Sequence, residues 1–182
     1  MKVISTNIDD LLVIEPKVFG DDRGYFFESF NKELYAENGI DYNWIQDNEA
    51  YSSKGVLRGL HYQKSPFGQT KLVRVIQGEV LDVVVDLRKD SITYGKFFSI
   101  ILSGTNKKQL LVPRGFAHGY VVLSENAIFA YKVDNVYKKE EEAGIRFDDP
   151  ELGIDWILPK DKLILSKKDS VLPIFGEHIP YE

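Results

Sequence analysis

No cysteine occurs in the 182 residues, so disulfide bridges, thiolate metal sites and a cysteine nucleophile are all excluded. Histidine is scarce at three, and methionine appears once. No apolar run reaches the length of a membrane span or of a signal-peptide core, and the opening MKVISTNIDDLL carries one lysine followed by two aspartates. A cytoplasmic protein with no membrane partner is therefore expected. Positive charge is also in deficit: 23 Lys and Arg stand against 28 Asp and Glu, a net charge of −5. That balance argues against nucleic acid as the main partner, because backbone binding depends on concentrated cations. One small diphosphate needs only a few local cations, and Arg23, Arg58, Lys71 and Lys168 lie in neighbourhoods that do not read as simple charged surface.

What the chain does have is aromatic and strand-forming. Hydrophobic residues make up 43%, with ten tyrosines and eleven phenylalanines, a composition that suits an ordered β-rich protein. The length fits one domain spanning residues 1–182, and no linker, repeat or heptad interrupts it. From Val56 to Val133 the runs VLRGLHY, KLVRVIQ, EVLDVVVDL, FFSIIL, QLLVP, YVVL and AIFAYKV alternate with Gly, Pro, Asn and Ser. These are strands joined by tight turns. Within Glu79 to Leu87, Leu81, Val83, Val85 and Leu87 share one face while Asp82 and Asp86 share the other, the pattern of a half-buried antiparallel strand. An all-β jelly roll or similar sandwich is expected. Asn31 to Asn38 forms the short peripheral helical exception, with Asn31 as its cap and Gly39 as its left-handed stop.

The residues suited to chemistry are few. His61 sits in GVLRGLHYQ, where a lone strand histidine is more often a satisfied structural side chain than a base. Arg58 weakens that bland reading, since two cationizable groups in one apolar strand are costly to bury without a ligand or an acid. Period-two alternation sets Arg58 and His61 on opposite faces, so both reach one pocket only if a bulge or kink occurs at Gly59. Lys71 shares parity with Val73 and Val75; directed inward, it offers a cation for an oxyanion or phosphate, and at a strand end it would snorkel to solvent.

His118, in LVPRGFAHGYVVL, follows a Pro-Arg-Gly turn that holds the imidazole near the mouth of the next strand. His61 and His118 together are two ligands short of a tetrahedral metal set, because Gln63 stands where a second histidine of the first pair would be needed. No metal is expected. Tyr131 shares a face with Phe129 and Val133; core packing is its common role, although a buried phenol can also deliver a proton. Tyr137 is placed to stack on a base or to shield an edge. Asp169, in LSKKDS, reads alone as a solvated loop acid and gains a role only if it pairs with His61 to fix the tautomer.

GVLRGLHYQ, QTKLVRVIQGEVLDVVVDLRKDS, QLLVPRGFAHGY and YKVDNVY, with VFGDDRGYFFESF and QDN before them and LSKKDSVLP after, resemble the dTDP-4-dehydrorhamnose 3,5-epimerases, the rhamnose-pathway cupin epimerases. The resemblance covers nearly the whole chain. It implies a cupin-type jelly roll, a homodimer, and a site without metal or cofactor that epimerises C3 and C5 of dTDP-4-dehydro-6-deoxyglucose. By the same resemblance His61 is the proton-abstracting base, Asp169 its carboxylate partner and Tyr131 the acid on the opposite face, while Lys71 and His118 are ligands of the sugar and its enolate. Arg23, Glu28, Gln46, Asn48, Arg58, Glu142 and Lys168 are placed around nucleotide and sugar, with Tyr137 stacked on thymine. FDDP at Phe147 to Pro150 and IDWILPK depart from the family's usual strings at the C-terminal edge, which bears on nucleotide selectivity. Two rivals remain: an epimerase that inverts only C3 or only C5 of a related 4-keto sugar, and a non-catalytic sugar-nucleotide binder.

Overall fold

Residues 1–182 are described by a computed structural model. In chain order the elements are β1 (Lys2–Ser5), β2 (Leu12–Glu15), β3 (Phe19–Asp21), β4 (Gly24–Phe26), α1 (Lys32–Glu37), β5 (Gln46–Ser53), β6 (Leu57–Gln63) and β7 (Lys71–Gln77). There follow β8 (Glu79–Asp86), β9 (Phe97–Ser103), β10 (Gln109–Val112), β11 (Phe116–Val122), β12 (Asn126–Val133) and β13 (Glu142–Gly144). Two antiparallel sheets form, ordered β1-β2-β10-β7-β12-β5 and β13-β6-β11-β8-β9, while β3 and β4 pair only with each other. This is the all-β sandwich of the cupin jelly roll. No helix is long and apolar enough to cross a membrane.

The inner faces of the two sheets bury Val13, Val73, Val75, Leu110 and Phe129 against Val80, Val84, Phe116, Tyr120 and Val122. A second apolar layer lies on the far side of the five-stranded sheet. There Leu57, Leu81, Val83, Val85 and Val121 are covered by Ile145, Phe147, Leu152 and Trp156 of the C-terminal segment. That cover corrects the half-buried reading of β8. Its Leu-Val face packs beneath the C-terminal segment, its other face looks into the sandwich, and Asp82 and Asp86 are both fully buried. Asp86 is accommodated because it accepts hydrogen bonds from Arg88, Ser91 and Thr93.

Helix α1 is capped as its sequence requires: the Asn31 side chain accepts from the Leu34 amide, and Gly39 takes φ +81°. It lies at the periphery and is anchored there by one side chain. Tyr35 buries against Ile14, Leu72 and Leu111 on the outer face of the six-stranded sheet, and its hydroxyl donates to Gln109 at 2.9 Å. The FDDP segment belongs to the C-terminal cover: Asp149 accepts from the amides of Glu151, Leu152 and Phe175. Phe147 to Pro150 and Trp156 border a surface hollow with Lys160 that shares no residue with the cavity around His61.

Candidate active site

A cavity of about 300 Å³ lies within the sandwich, lined by Arg58, His61, Lys71, His118, Tyr131 and Asp169 among others. Its wall depends on an irregularity in β6. Leu57, Leu60 and Tyr62 pack into the outer layer, whereas Arg58 and His61 face the cavity. Between the pairs His118–His61 and Tyr120–Arg58 the register advances two residues on β11 and three on β6, so the bulge expected at Gly59 is present. Gly59 has φ +126°, and a Cβ there would stand 2.6 Å from the Gly119 Cα. Only glycine fits that close backbone approach.

His61 Nε2 lies 2.6 Å from Asp169 Oδ1, a short contact between an imidazole and a carboxylate. The tautomer that donates Nε2–H to the carboxylate leaves the Nδ1 lone pair without a direct hydrogen-bond partner; Glu142 Oε1 is 4.0 Å from Nδ1. Asp169 is no solvated loop acid, since only 5% of its side chain is exposed. Burial alone would raise its pKa, but the His61 hydrogen bond and charge, with Ser166 and Lys168, outweigh burial and hold the carboxyl below its usual range.

Lys71 enters from the first position of β7, its side chain partly buried beside the inward Val73 and Val75. Burial pushes its pKa down to about 8, against the opposing pull of Asp82 and Glu142. At neutral pH it is still predominantly an ammonium. His118 is the third residue of β11 and is buried within the strand rather than poised in a turn at its mouth. Its Nε2 stands 3.0 Å from each oxygen of Asp82. Burial, with Lys71 and His61 nearby, lowers its pKa despite that carboxylate, which favours a neutral ring.

Tyr131 crosses from the opposite sheet on β12, paired with Val73 and with Asn48. Burial raises its pKa, helped by Tyr120 and Glu142 and opposed by Arg58, so the phenol holds its proton and is available as an acid. The cavity thus brings together a base with its carboxylate, a protonated phenol and a partly buried cation.

The remaining candidates divide. Glu142 accepts from Lys168 Nζ at 2.5 Å and from the Tyr137 hydroxyl at 2.7 Å, forming a small polar rim beside His61. Lys168 borders the cavity, and Tyr137 is half-exposed. Gln46 donates to Asn48 at 2.7 Å on the edge strand β5, and Asn48 borders an adjoining hollow that shares Tyr131. Arg23 and Glu28 do not line the His61 cavity. Arg23 sits at the β3–β4 turn, 89% exposed at its side chain and paired with Asp21. Glu28 accepts from Asn31 beside the cap of α1. Sequence reasoning missed three residues: Asp82, Tyr120 and Ser52, the last accepting from Arg58 Nε at 3.1 Å. Asp82 had a signal, being an acid enclosed by Leu and Val within EVLDVVV; Tyr120 and Ser52 had none.

A family model described as dTDP-4-dehydrorhamnose 3,5-epimerase matches residues 5–177. The dTDP-4-dehydrorhamnose 3,5-epimerase of Shigella flexneri is 52% identical over 170 residues, 93% of each chain. Among solved structures, the dTDP-4-dehydrorhamnose 3,5-epimerase of Elizabethkingia anophelis NUHP1 superposes with a TM-score of 0.92 at 50% identity, covering 97% of both chains. The dTDP-6-deoxy-D-glucose-3,5-epimerase of Legionella pneumophila Philadelphia 1, in complex with dTDP-4-keto-L-rhamnose, does so with a TM-score of 0.92 at 50% identity over 97% of this chain and 93% of that one.

Proposed function

Because this chain belongs to the dTDP-4-dehydrorhamnose 3,5-epimerase family, we propose that its cavity takes dTDP-4-dehydro-6-deoxyglucose and inverts C5 and C3 by moving protons beside the C4 ketone. The product is dTDP-4-dehydro-L-rhamnose. The ketone acidifies the hydrogens on both neighbouring carbons, so a base of ordinary strength suffices if the resulting enolate oxygen is stabilised.

His61 takes the ring proton and becomes an imidazolium, which the Asp169 carboxylate stabilises. The electron pair of the broken C–H bond moves into the C4 carbonyl, and the developing oxyanion is met by the Lys71 ammonium, with His118 as a second ligand of the sugar. Tyr131 gives a proton to the opposite face of the carbon, the ketone re-forms, and the centre is inverted. His61 and the Tyr131 phenolate then return to their starting protonation states. Arg58, Lys168 and Glu142 around the cavity bind the sugar nucleotide, with Gln46, Asn48 and Tyr137 on its nucleotide side. No metal or cofactor takes part in this scheme. The observation that carries it is the His61–Asp169 pair lining one sugar-sized cavity with the Tyr131 phenol.

Proton NMR of the protein with dTDP-4-dehydro-6-deoxyglucose in D2O tests the reading. Solvent deuterium should enter at both C3 and C5. Label at one carbon only would narrow the activity to a monoepimerase, and an unchanged bound ligand would make the protein a binder.

The β3–β4 hairpin bears on assembly. It joins neither large sheet and leaves Phe19, Tyr25 and Phe26 each more than half exposed, an apolar surface suited to a second copy of this chain. The homodimer is accordingly part of this proposal, and it offers the exposed Arg23 and Glu28 a place at a subunit boundary. Sedimentation equilibrium should give twice the chain mass, and Phe26→Asp should return the protein to monomer.

A further inference from the structure

Tyr120 is the one buried side chain whose polar atom finds no hydrogen-bond partner in the protein. It lies on β11 opposite Arg58 of β6, only 5% exposed, with its ring stacked on Phe129 at 4.1 Å, and it forms part of the cavity wall. A phenylalanine would fill the same space without leaving a buried hydroxyl unsatisfied, a condition that folded proteins rarely tolerate away from functional sites. Ser52 and Arg58 both lie against the phenol and draw its pKa down against the larger effect of burial. Both are close enough to attract the hydroxyl, but neither meets the distance and angle of a hydrogen bond. The Ser52 hydroxyl, itself 4% exposed, is engaged by Arg58 Nε at 3.1 Å.

We infer that Tyr120 is a positioning residue for Arg58: when a sugar nucleotide in the cavity draws the guanidinium off Ser52, Ser52 Oγ accepts from the Tyr120 phenol in its place. The exchange gives the Tyr120 hydroxyl a protein partner that it otherwise lacks. The inference rests on the sugar-nucleotide reading of the cavity. It goes beyond that reading by giving a role to two hydroxyls that the proton-transfer scheme does not use. The physical basis is an exchange of partners. Moving Arg58 from Ser52 to an anionic oxygen would by itself orphan the serine, and the waiting phenol removes that cost.

The test is a double-mutant cycle on the full-length protein, using Tyr120→Phe, Ser52→Ala and the double variant. Its readouts are calorimetric affinity for dTDP-glucose, which has no ketone to react, and thermal stability without ligand. Tyr120→Phe should melt no lower than wild type, because it deletes an unsatisfied hydroxyl, yet bind dTDP-glucose about tenfold more weakly. In the Ser52→Ala background the same substitution should change affinity less than twofold. Wild-type affinity in Tyr120→Phe would overturn the inference and leave the phenol as core packing. Equal losses in both backgrounds would also overturn it, by showing that the phenol acts without Ser52. If the wild-type protein failed to bind dTDP-glucose at all, the sugar-nucleotide reading would fall first and this inference with it.

Discussion

Nε2 of His61 and Oδ1 of Asp169 stand 2.6 Å apart, although 108 positions of chain separate them. The carboxylate holds the ring's orientation and tautomer, so removing its charge should disable the base without emptying the cavity. Asp169→Asn is expected to lower kcat by about a hundredfold or more while changing KM little, and His61→Ala to lose at least as much. Steady-state kinetics with the 4-keto sugar nucleotide reads both. Unimpaired turnover by His61→Ala in D2O would remove His61 as the base.

Tyr131 faces the same cavity from the opposite sheet, and burial keeps its phenol protonated. Tyr131→Phe preserves the ring and deletes only the proton donor. Inversion should fall about a hundredfold to ten-thousandfold, with proton abstraction surviving as deuterium exchange at C5 of unreacted sugar. Mass and NMR analysis of recovered substrate separates exchange from inversion.

The Lys71 pKa of about 8 places its titration within reach of an ordinary assay. If the ammonium supports the enolate, kcat/KM should decline as pH rises through about 8, and that alkaline limb should vanish in a slower Lys71→Met enzyme. Stability should move the opposite way. The folded pKa lies below the unfolded value near 10.5, so between these two values the unfolded chain binds more protons and this group's contribution to stability rises with pH. Urea unfolding of wild type and Lys71→Met at pH 7.5 and about 9.5 checks the sign.

Gly59 should tolerate no side chain. Gly59→Ala would drive a Cβ to 2.6 Å from the Gly119 Cα in a backbone conformation that alanine rarely adopts. Overpacking of this kind costs about 1–3 kcal/mol before backbone strain is added. Relief requires β6 to shift, and Arg58 and His61 shift with it. Calorimetric melting should show the loss of stability, and the surviving folded fraction should be far less active than wild type.

The strands were legible in the sequence where turns bracket apolar runs, as in KLVRVIQ and AIFAYKV, and so was the bulge, because His61 and Arg58 could share a pocket only if Gly59 broke the alternation. β5 was not legible. QDNEAYSS carries no apolar period, and it is a strand because the ladder of β12 pairs with it along its whole length. The depth of β8 was misread for a related reason: alternation marks two faces but does not reveal that a distant C-terminal segment covers one of them. The same blindness to tertiary cover hid Asp82, whose partner His118 sits on a neighbouring strand 36 positions away. Arg23 lies away from the His61 cavity within one chain, paired with Asp21 on the β3–β4 hairpin, a placement that no local pattern in VFGDDRGYFFESF announces.

Asp169 arrives not on a strand but on the segment laid down after the last ladder has closed, fastened near the site by the Ser166 hydroxyl that accepts from its amide and by the Arg146–Pro173 backbone bond. Both sheets can therefore be complete while the imidazole still lacks its counterpart. The segment that delivers this carboxylate also roofs the outer apolar layer, so loosening it would cost catalysis and burial together.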